Sequence, residues 1–391
     1  MPITPQRNGM ALAGIYRTEK KPGPIEAQRP ALSKEELESV LDCLIQDRLG
    51  SGSICERFEK SFAQVASYKH TLAVNSLTAA YHLAFLALEI GPDDEVWMSA
   101  LSSISALDAC RYVGATPRLL DPARSSFHVE QDSIEKLLGS DQKEAPVSED
   151  PGFRIDQEKK DLKRVYLLDH TYGSRSPLNV AWLKEQGFLL VEDFTGMPGA
   201  DAEGSYTGQT GDVAVCGLSE YDLVTTGNGA MVVTSEPRIQ KKMLSLRYGN
   251  KRDRKATAYD YRLEDFQAAM GLIQLNRLGL TLSRRRKIGE KYLQTLRQTK
   301  HESYFKETGV DCYHIFPVVV AKTHDEVERY YNSLQIGITR VPEPLHHFLD
   351  LPRLEFPNAE RIYQKAICVP VYPALTANNV ERISSSLRGM L

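Results

Sequence analysis

The sequence predicts an α/β fold in which a mostly parallel sheet is covered by helices. Three observations carry this: short apolar runs recur along residues 70–234, helical periods separate them, and 42% hydrophobic with 25% charged residues is the balance of an ordinary folded chain. The runs lie at 70–74, 95–98, 116–120, 165–168, 188–191, 213–216 and 230–234. Each has the length of a strand, and near-continuous apolar character predicts burial on both faces.

The remaining elements follow in order. Residues 1–30 are rich in Pro, Gly and charge and have no period, which predicts an arm that orders only against something else. A helix begins near Ser33, and Phe58, Phe62, Val65 and Ala66 share one face of a second helix. The polar stretch 139–164 lacks an apolar period and predicts a surface excursion. Leu263, Phe266, Met270 and Ile273 form the stripe of a long helix, and the basic run 284–287 reads as a solvated face of the next. A strand at 315–320, a helix at 324–335 and a final helix from about 376 complete a smaller α+β unit. The expected division is an arm over 1–30, a large domain over 31–250, and interface helices with a small C-terminal domain over 251–391.

Charge and composition narrow the function. With 48 Lys and Arg against 51 Asp and Glu, the net charge is −3 and no basic tail gathers the cations, which argues against nucleic acid as a partner. No apolar run reaches bilayer length and the N-terminus carries no signal-peptide pattern, so the expected location is cytoplasmic and off the membrane. The six cysteines are scattered without a zinc or redox pair, predicting buried thiols in a reducing compartment and no metal site. At Asn75, Ser76, Leu77 and Thr78 a strand gives way to a helix. Such a helix N-terminus can bind an anion, but taken alone the residues are better explained by a capping Ser.

Several segments then appear in one fixed succession: GPDDEVWMSALSSISALDACRYVGATPRLLD, VYLLDHTYGSRSPLNVAWLKEQGFLLVEDFTGMPGA, GQTGDVAVCGLSEYDLVTTGNGAMVVTS, YDYRLEDFQAAMGLIQLNRL, VPEPLHHF and FPNAERIYQKAICVPVYPAL. This succession resembles the DegT/StrS-type family of sugar aminotransferases over residues 30–391. The resemblance implies fold type I of the pyridoxal phosphate (PLP) enzymes, with a mainly parallel seven-stranded sheet, a small C-terminal α+β domain, and a homodimer whose active sites lie at the subunit interface.

The departures from that family are concentrated in its coenzyme site. At the position of the Schiff-base lysine stands Asp222, and no Lys occurs between 212 and 238. A carboxylate cannot form an imine. Leu77 replaces a Gly of the phosphate loop, where Ser76 and Thr78 remain; Ser103 replaces a stacking aromatic ring; Gly196 replaces a polar residue at the pyridoxal hydroxyl. Gly217 replaces a phosphate-binding Ser, Asn228 and Ala230 replace the Glu and Gly after the lysine loop, and Asp260 replaces the Asn lent by a partner subunit. Asp193, which would meet the pyridine nitrogen, and His170 stand in their family places. At about 5 Å and an effective dielectric of about 20, each unwelcome unit charge near a phosphate costs roughly 3 kcal/mol. No cofactor is therefore expected, with binding of PLP or its pyridoxamine form lost or weak.

Two functions from different classes fit these changes. In the first, the inherited cleft serves a PLP-independent enzyme of small-molecule biosynthesis, the resemblance implying a modified sugar or secondary metabolite as product, with Asp193, Asp222, His170 and His346 as acid–base groups. Ser76, Thr78, Ser103, Ser219, Glu220, Tyr221, Asn228, Tyr259 and Arg262 would then contact the substrate, Arg262 serving either a substrate phosphate or the dimer interface. The basic loop 251–255 is either solvated or set against an anionic ligand such as a nucleotide diphosphate. In the second, the chain is a silent subunit paired with a lysine-bearing relative. A third reading keeps the coenzyme as a non-covalent PLP or pyridoxamine form in a sugar aminotransferase or dehydratase. Losses clustered in one pocket, beside intact strands and helices, favour reuse over decay.

Overall fold

All seven apolar runs join one sheet. The computed structural model describes residues 23–141, 162–202, 204–247, 257–306 and 309–390. The basic loop 251–255, residues 1–22 of the arm and residues 142–161 of the polar stretch lie outside the described residues.

Helices α1 (Lys34–Ile45) and α2 (Ser53–Val65) precede β1 (His70–Val74), followed by α3 (Leu77–Ala87), β2 (Glu95–Ser99), α4 (Ile104–Val113), β3 (Thr116–Leu120), α5 (Gln131–Asp141) and β4 (Arg164–Asp169). Then come α6 (Val180–Glu185), β5 (Phe188–Asp193), the paired short strands β6 (Asp201–Ala202) and β7 (Ser205–Tyr206), β8 (Val213–Gly217), β9 (Ala230–Thr234) and α7 (Pro237–Leu246). The chain continues through α8 (Asp265–Asn276), α9 (Leu278–Leu296), β10 (Phe316–Val319), α10 (His324–Ser333), β11 (Thr339–Arg340), α11 (Pro357–Lys365), β12 (Ala366–Val369) and α12 (Ala377–Gly389).

The large sheet has the order β1-β9-β8-β5-β4-β2-β3. Strands β3, β2, β4, β5 and β8 run parallel, while β9 is antiparallel to both β8 and β1. Every residue of β2, β8 and β9 is buried, as continuous apolar strands require. Helix α3 is buried nearly all round between the sheet and its neighbours, so it carries almost no polar face. The N-terminus of α2 begins at Gly52, which has no capping side chain; Asp265 of α8 supplies the cap by accepting from the Gly52 and Cys55 amides at 2.8 and 2.9 Å. A second antiparallel sheet, β10-β12-β11, packs around Tyr292, Phe316, Ile367 and Ile383. The described end of the arm docks there: Ile25 is buried, its amide donates to Gln335 O and its carbonyl accepts from the Gly337 amide.

Two sequence expectations need correction. The basic run 284–287 is not a solvated face. Arg285 is buried and donates to the carbonyls of Tyr313 and His314, and Arg286 to those of Val310 and Asp311, because this irregular segment leaves its carbonyls without ladder partners. In α8 the buried positions are Asp265, Ala268, Ala269, Gly271 and Gln274, while Phe266, Met270 and Ile273 are half-buried and the buried Leu263 precedes the helix; a β-carbon on Gly271 would stand 2.6 Å from the Phe58 ring, so small residues let α8 approach α2. All six cysteines are buried and free. No helix among the described residues is long and apolar enough to cross a membrane.

The sheet end that carries the cleft is fastened by Glu192 of β5, 1% exposed. Its carboxylate accepts from the amides of Gly208, Thr210 and Gly211 at 2.7, 2.9 and 3.1 Å, from Thr210 Oγ1 at 2.6 Å, and from His170 Nε2 at 3.0 Å. Burial opposes its ionisation, but the donors from His170, Thr210 and Gly208 outweigh burial and hold the carboxyl down at about 2. Stabilisation from a carboxyl held low is present at neutral pH and lost as pH falls from the unfolded-state value through about 2. Glu192→Gln is expected to cost roughly 3 kcal/mol at pH 7. In denaturant melts, the gap between wild type and variant should close as pH falls from about 5 toward 2; a pH-independent gap would show that the charge contributes nothing.

Candidate active site

A cavity of about 380 Å³ opens at the C-terminal ends of the parallel strands, where open α/β sheets bind ligands. Asp169 ends β4 and Asp193 ends β5, and the two are register partners on adjacent strands. Asp193 Oδ1 accepts from the Thr195 amide at 2.8 Å, and Oδ2 accepts from the Tyr81 hydroxyl of α3. Burial raises the Asp193 carboxyl above the ordinary range, and the charge of Asp222 adds to the rise. Asp169 accepts from Ser102 Oγ at 2.6 Å, and burial pushes its carboxyl up to about 6.

The loop between β8 and β9 carries Ser219 and Asp222 into the same cavity. Asp222 Oδ2 accepts from the Ser219 amide at 2.6 Å, and Oδ1 lies 2.9 Å from His314 Nε2. Gly217 makes room for this arrangement, since a β-carbon there would stand 2.9 Å from Asp222 Oδ2. The residues at 217 and 222 are therefore one structural change, not two.

His314 arrives from the segment before β10, and glycines bring it in. A β-carbon on Gly173, whose φ is +86°, would meet the His314 amide at 2.5 Å; one on Gly196 would meet Gly173 N at 2.8 Å and His314 Cβ at 3.0 Å. The Cys312 amide donates to Gly173 O at 2.8 Å, and Arg285 holds the His314 carbonyl at 2.8 Å from below. The imidazole is thereby fixed at the seam between the two sheets.

Of the other sequence candidates, Leu77, Ser103, Gly196, Ser219 and His170 line the cavity with Asp193 and Asp222. His170 is corrected as an acid–base group: the Ser176 amide donates to Nδ1 at 3.1 Å, so the ring proton sits on Nε2 and goes to Glu192, leaving no lone pair for a substrate. His346 is corrected as well. It is fully buried away from the cavity, with Nε2 3.0 Å from Glu360 Oε1 and its ring stacked on Phe356 at 4.5 Å. His347 contacts the same Glu360 oxygen. Ser76 caps α3 by accepting from the Ala79 amide, and Thr78 lies in its first turn; neither lines the cavity. Glu220 and Asn228 are exposed, and Tyr221 borders a smaller pocket shared with Arg29. Tyr259 stacks on Tyr261 at 5.2 Å, and Asp260 pairs with Arg262 at 3.1 Å, both off this chain's own cavity.

Sequence reasoning missed His314, Asp169 and Tyr81. The aspartates that close the runs VYLLD and FLLVED are a visible signal for Asp169, because equivalent ends of neighbouring parallel strands meet. Tyr81 and His314 carry no comparable local signal.

Comparison with known proteins agrees with this geometry. A family model described as the DegT/DnrJ/EryC1/StrS aminotransferase family matches residues 30–388. GDP-perosamine synthase of Caulobacter vibrioides is 27% identical over 383 residues, covering 94% of this chain and 98% of that protein. The crystal structure of the aminotransferase TlmJ from Streptoalloteichus hindustanus superposes with a TM-score of 0.79 at 25% identity, covering 93% of this chain and 98% of that one. The putative sugar aminotransferase Spr1654 of Streptococcus pneumoniae in its PLP form shares the fold, with a TM-score of 0.80 at 20% identity over 94% and 98% of the two chains. Matched by that family model across nearly its whole length, the chain belongs to the DegT/DnrJ/EryC1/StrS aminotransferase family.

Proposed function

We propose that this chain is a sugar-modifying enzyme of small-molecule biosynthesis that works without PLP, its proton transfers carried by His314, Asp222 and Asp169. The observation that carries the reading is the Asp222–His314 pair, which lines the same cavity as Asp169 and Asp193.

The cavity fits the coenzyme poorly. Among the described residues, no Lys lines it to form the covalent link. Asp193 Oδ1 and Oδ2 each accept one hydrogen bond, from Thr195 and Tyr81, and each keeps a second lone pair, so the poor fit rests on the other residues of the cavity. Gly196 packs against Gly173 and leaves no space for a side chain that reaches a ring hydroxyl. Asp169, Asp193 and Asp222 oppose a phosphate dianion.

What remains is proton-transfer chemistry. His314 Nε2 lies 2.9 Å from Asp222 Oδ1, an imidazole beside a carboxylate, the arrangement that makes a general base. Asp169, on the wall of the same cavity, serves as a general acid, its proton retained to about pH 6 by burial. Proton removal at one carbon, with proton donation to the hydroxyl that departs as water from the next carbon, is the combination that the dehydration of a sugar needs. A homodimer belongs to this reading. Asn228 and Asp260 are exposed, and Phe266, Met270 and Ile273 form a half-buried apolar stripe suited to a second chain. Sedimentation should give twice the chain mass, and a monomer would refute that part.

Purified protein mixed with PLP should show no stoichiometric coenzyme absorbance; saturation at one equivalent per chain would refute the PLP-free function and restore the non-covalent reading. Asp222→Lys should not by itself restore binding, because Tyr81, Gly196 and Asp169 are unchanged. A carboxyl raised by folding favours the protonated native state, so Asp169 contributes less stability as pH rises from about 4 to about 6. Asp169→Asn is expected to remove a fall of up to roughly 3 kcal/mol across that interval. Parallel stability profiles for wild type and variant would place the Asp169 proton elsewhere.

A further inference from the structure

We infer that His346, His347 and Glu360 form a binding site for a divalent metal ion, Zn²⁺ by the chemistry of the donors, outside the cavity and independent of the PLP-free reading. The histidines occupy neighbouring positions of the 3-10 turn Leu345–Leu349, and Glu360 belongs to α11. His346 Nε2 stands 3.0 Å from Glu360 Oε1, and His347 Nε2 contacts the same oxygen. The three ligand atoms lie within 4.8 Å of one another, and all three side chains are more than nine-tenths buried. Two imidazole nitrogens and one carboxylate oxygen are a donor set that suits Zn²⁺.

Each donor is also held from behind. Phe356 stacks on the His346 ring at 4.5 Å, Tyr363 meets the His347 ring edge-on at 5.3 Å, and Gln364 Nε2 donates to Glu360 Oε2 at 2.7 Å, which leaves Oε1 to face the two histidines. Glu343 Oε1 lies 2.9 Å from His347 Nδ1, as the outer carboxylate of a metal-bound imidazole does. A carboxylate only accepts, so the single proton of a neutral His347 goes to Glu343, and the Nε2 lone pair is left facing the anionic Glu360 oxygen. An ion shared by Nε2 and Oε1 turns that repulsion into two bonds. A second proton on His347 would serve the same contact, and metal titration separates the two. His346 Nδ1 is buried without a partner in either case. Arg353 lies 3.7 Å from the other Glu360 oxygen with 66% of its side chain exposed, so water screens its charge. Glu343 lines the cavity with Pro342 and Phe348; an ion at His347 therefore fastens that part of the wall to α11 and touches no reacting atom.

Zinc chloride titrated into the full chain, without an affinity tag and after chelator treatment, tests the assignment. One equivalent should bind per chain in competition with a chromophoric chelator, and more weakly as pH falls, because the ligands must shed their protons. His347→Ala and Glu360→Gln should each weaken that equivalent by more than about a hundredfold, and Glu343→Gln by about tenfold. Glu328→Gln should leave it unchanged, although His324, Asp325 and Glu328 also bring three ligand atoms together, since Asp325 and Glu328 are exposed. Nitrogen NMR of the wild-type protein locates the ion even where a variant fails to fold: zinc should shift the Nε2 resonances of His346 and His347. No uptake by wild type would overturn the assignment and leave His347 doubly protonated. Uptake that survives both ligand substitutions, or that shifts only other histidines, would overturn it by putting the ion elsewhere.

Discussion

The carboxylate of Glu192 collects three backbone amides, a threonine hydroxyl and an imidazole N–H between β5 and the loop that leads into β8. A charge this deeply buried is tolerable only when its lone pairs are filled, and the filling partners come from both sides of β5. The His170 turn after β4 and the 208–211 loop before β8 are thereby held at fixed distances from the strand that ends in Asp193. Asp169, Asp193 and the β8 to β9 loop converge because this knot sets the height of three neighbouring strand ends. The chemistry of the cavity is built on a residue that does not line it.

A second constraint acts across the seam. Gly173 and Gly196 touch each other and the His314 backbone so closely that neither can carry a side chain. Their contact lets the segment before β10 lean over the strand ends, and Arg285 supplies the donors which that irregular segment lacks. Glycine at 196 is thus the space through which the His314 segment reaches the strand ends.

How much of this was legible follows from the range of each interaction. The seven strands were read within one or two residues, because two-face burial writes continuous apolar runs into the sequence. Asp193, Asp222, Ser103, Ser219 and Leu77 were placed in the site by motif order, and all line the cavity. His346 misled because its motif is local whereas its partner, Glu360, belongs to a helix that follows. His170 misled for a related reason: the sequence shows an imidazole but not that both its nitrogens are spent. His314 and Tyr81 stayed hidden since their contacts span many residues, and no pattern of spacing announces them. The basic run on α9 was misread because guanidinium groups that satisfy distant carbonyls look, in sequence, like guanidinium groups in water.

The fit between Gly217 and Asp222 ties the two positions together. A serine at 217 crowds the Asp222 carboxylate for as long as that aspartate is there. A lysine at 222 removes the carboxylate that lies 2.9 Å from His314 Nε2. A change at either position, taken singly, therefore disturbs what the other holds in place, and the pair tolerates substitution only when both change in concert.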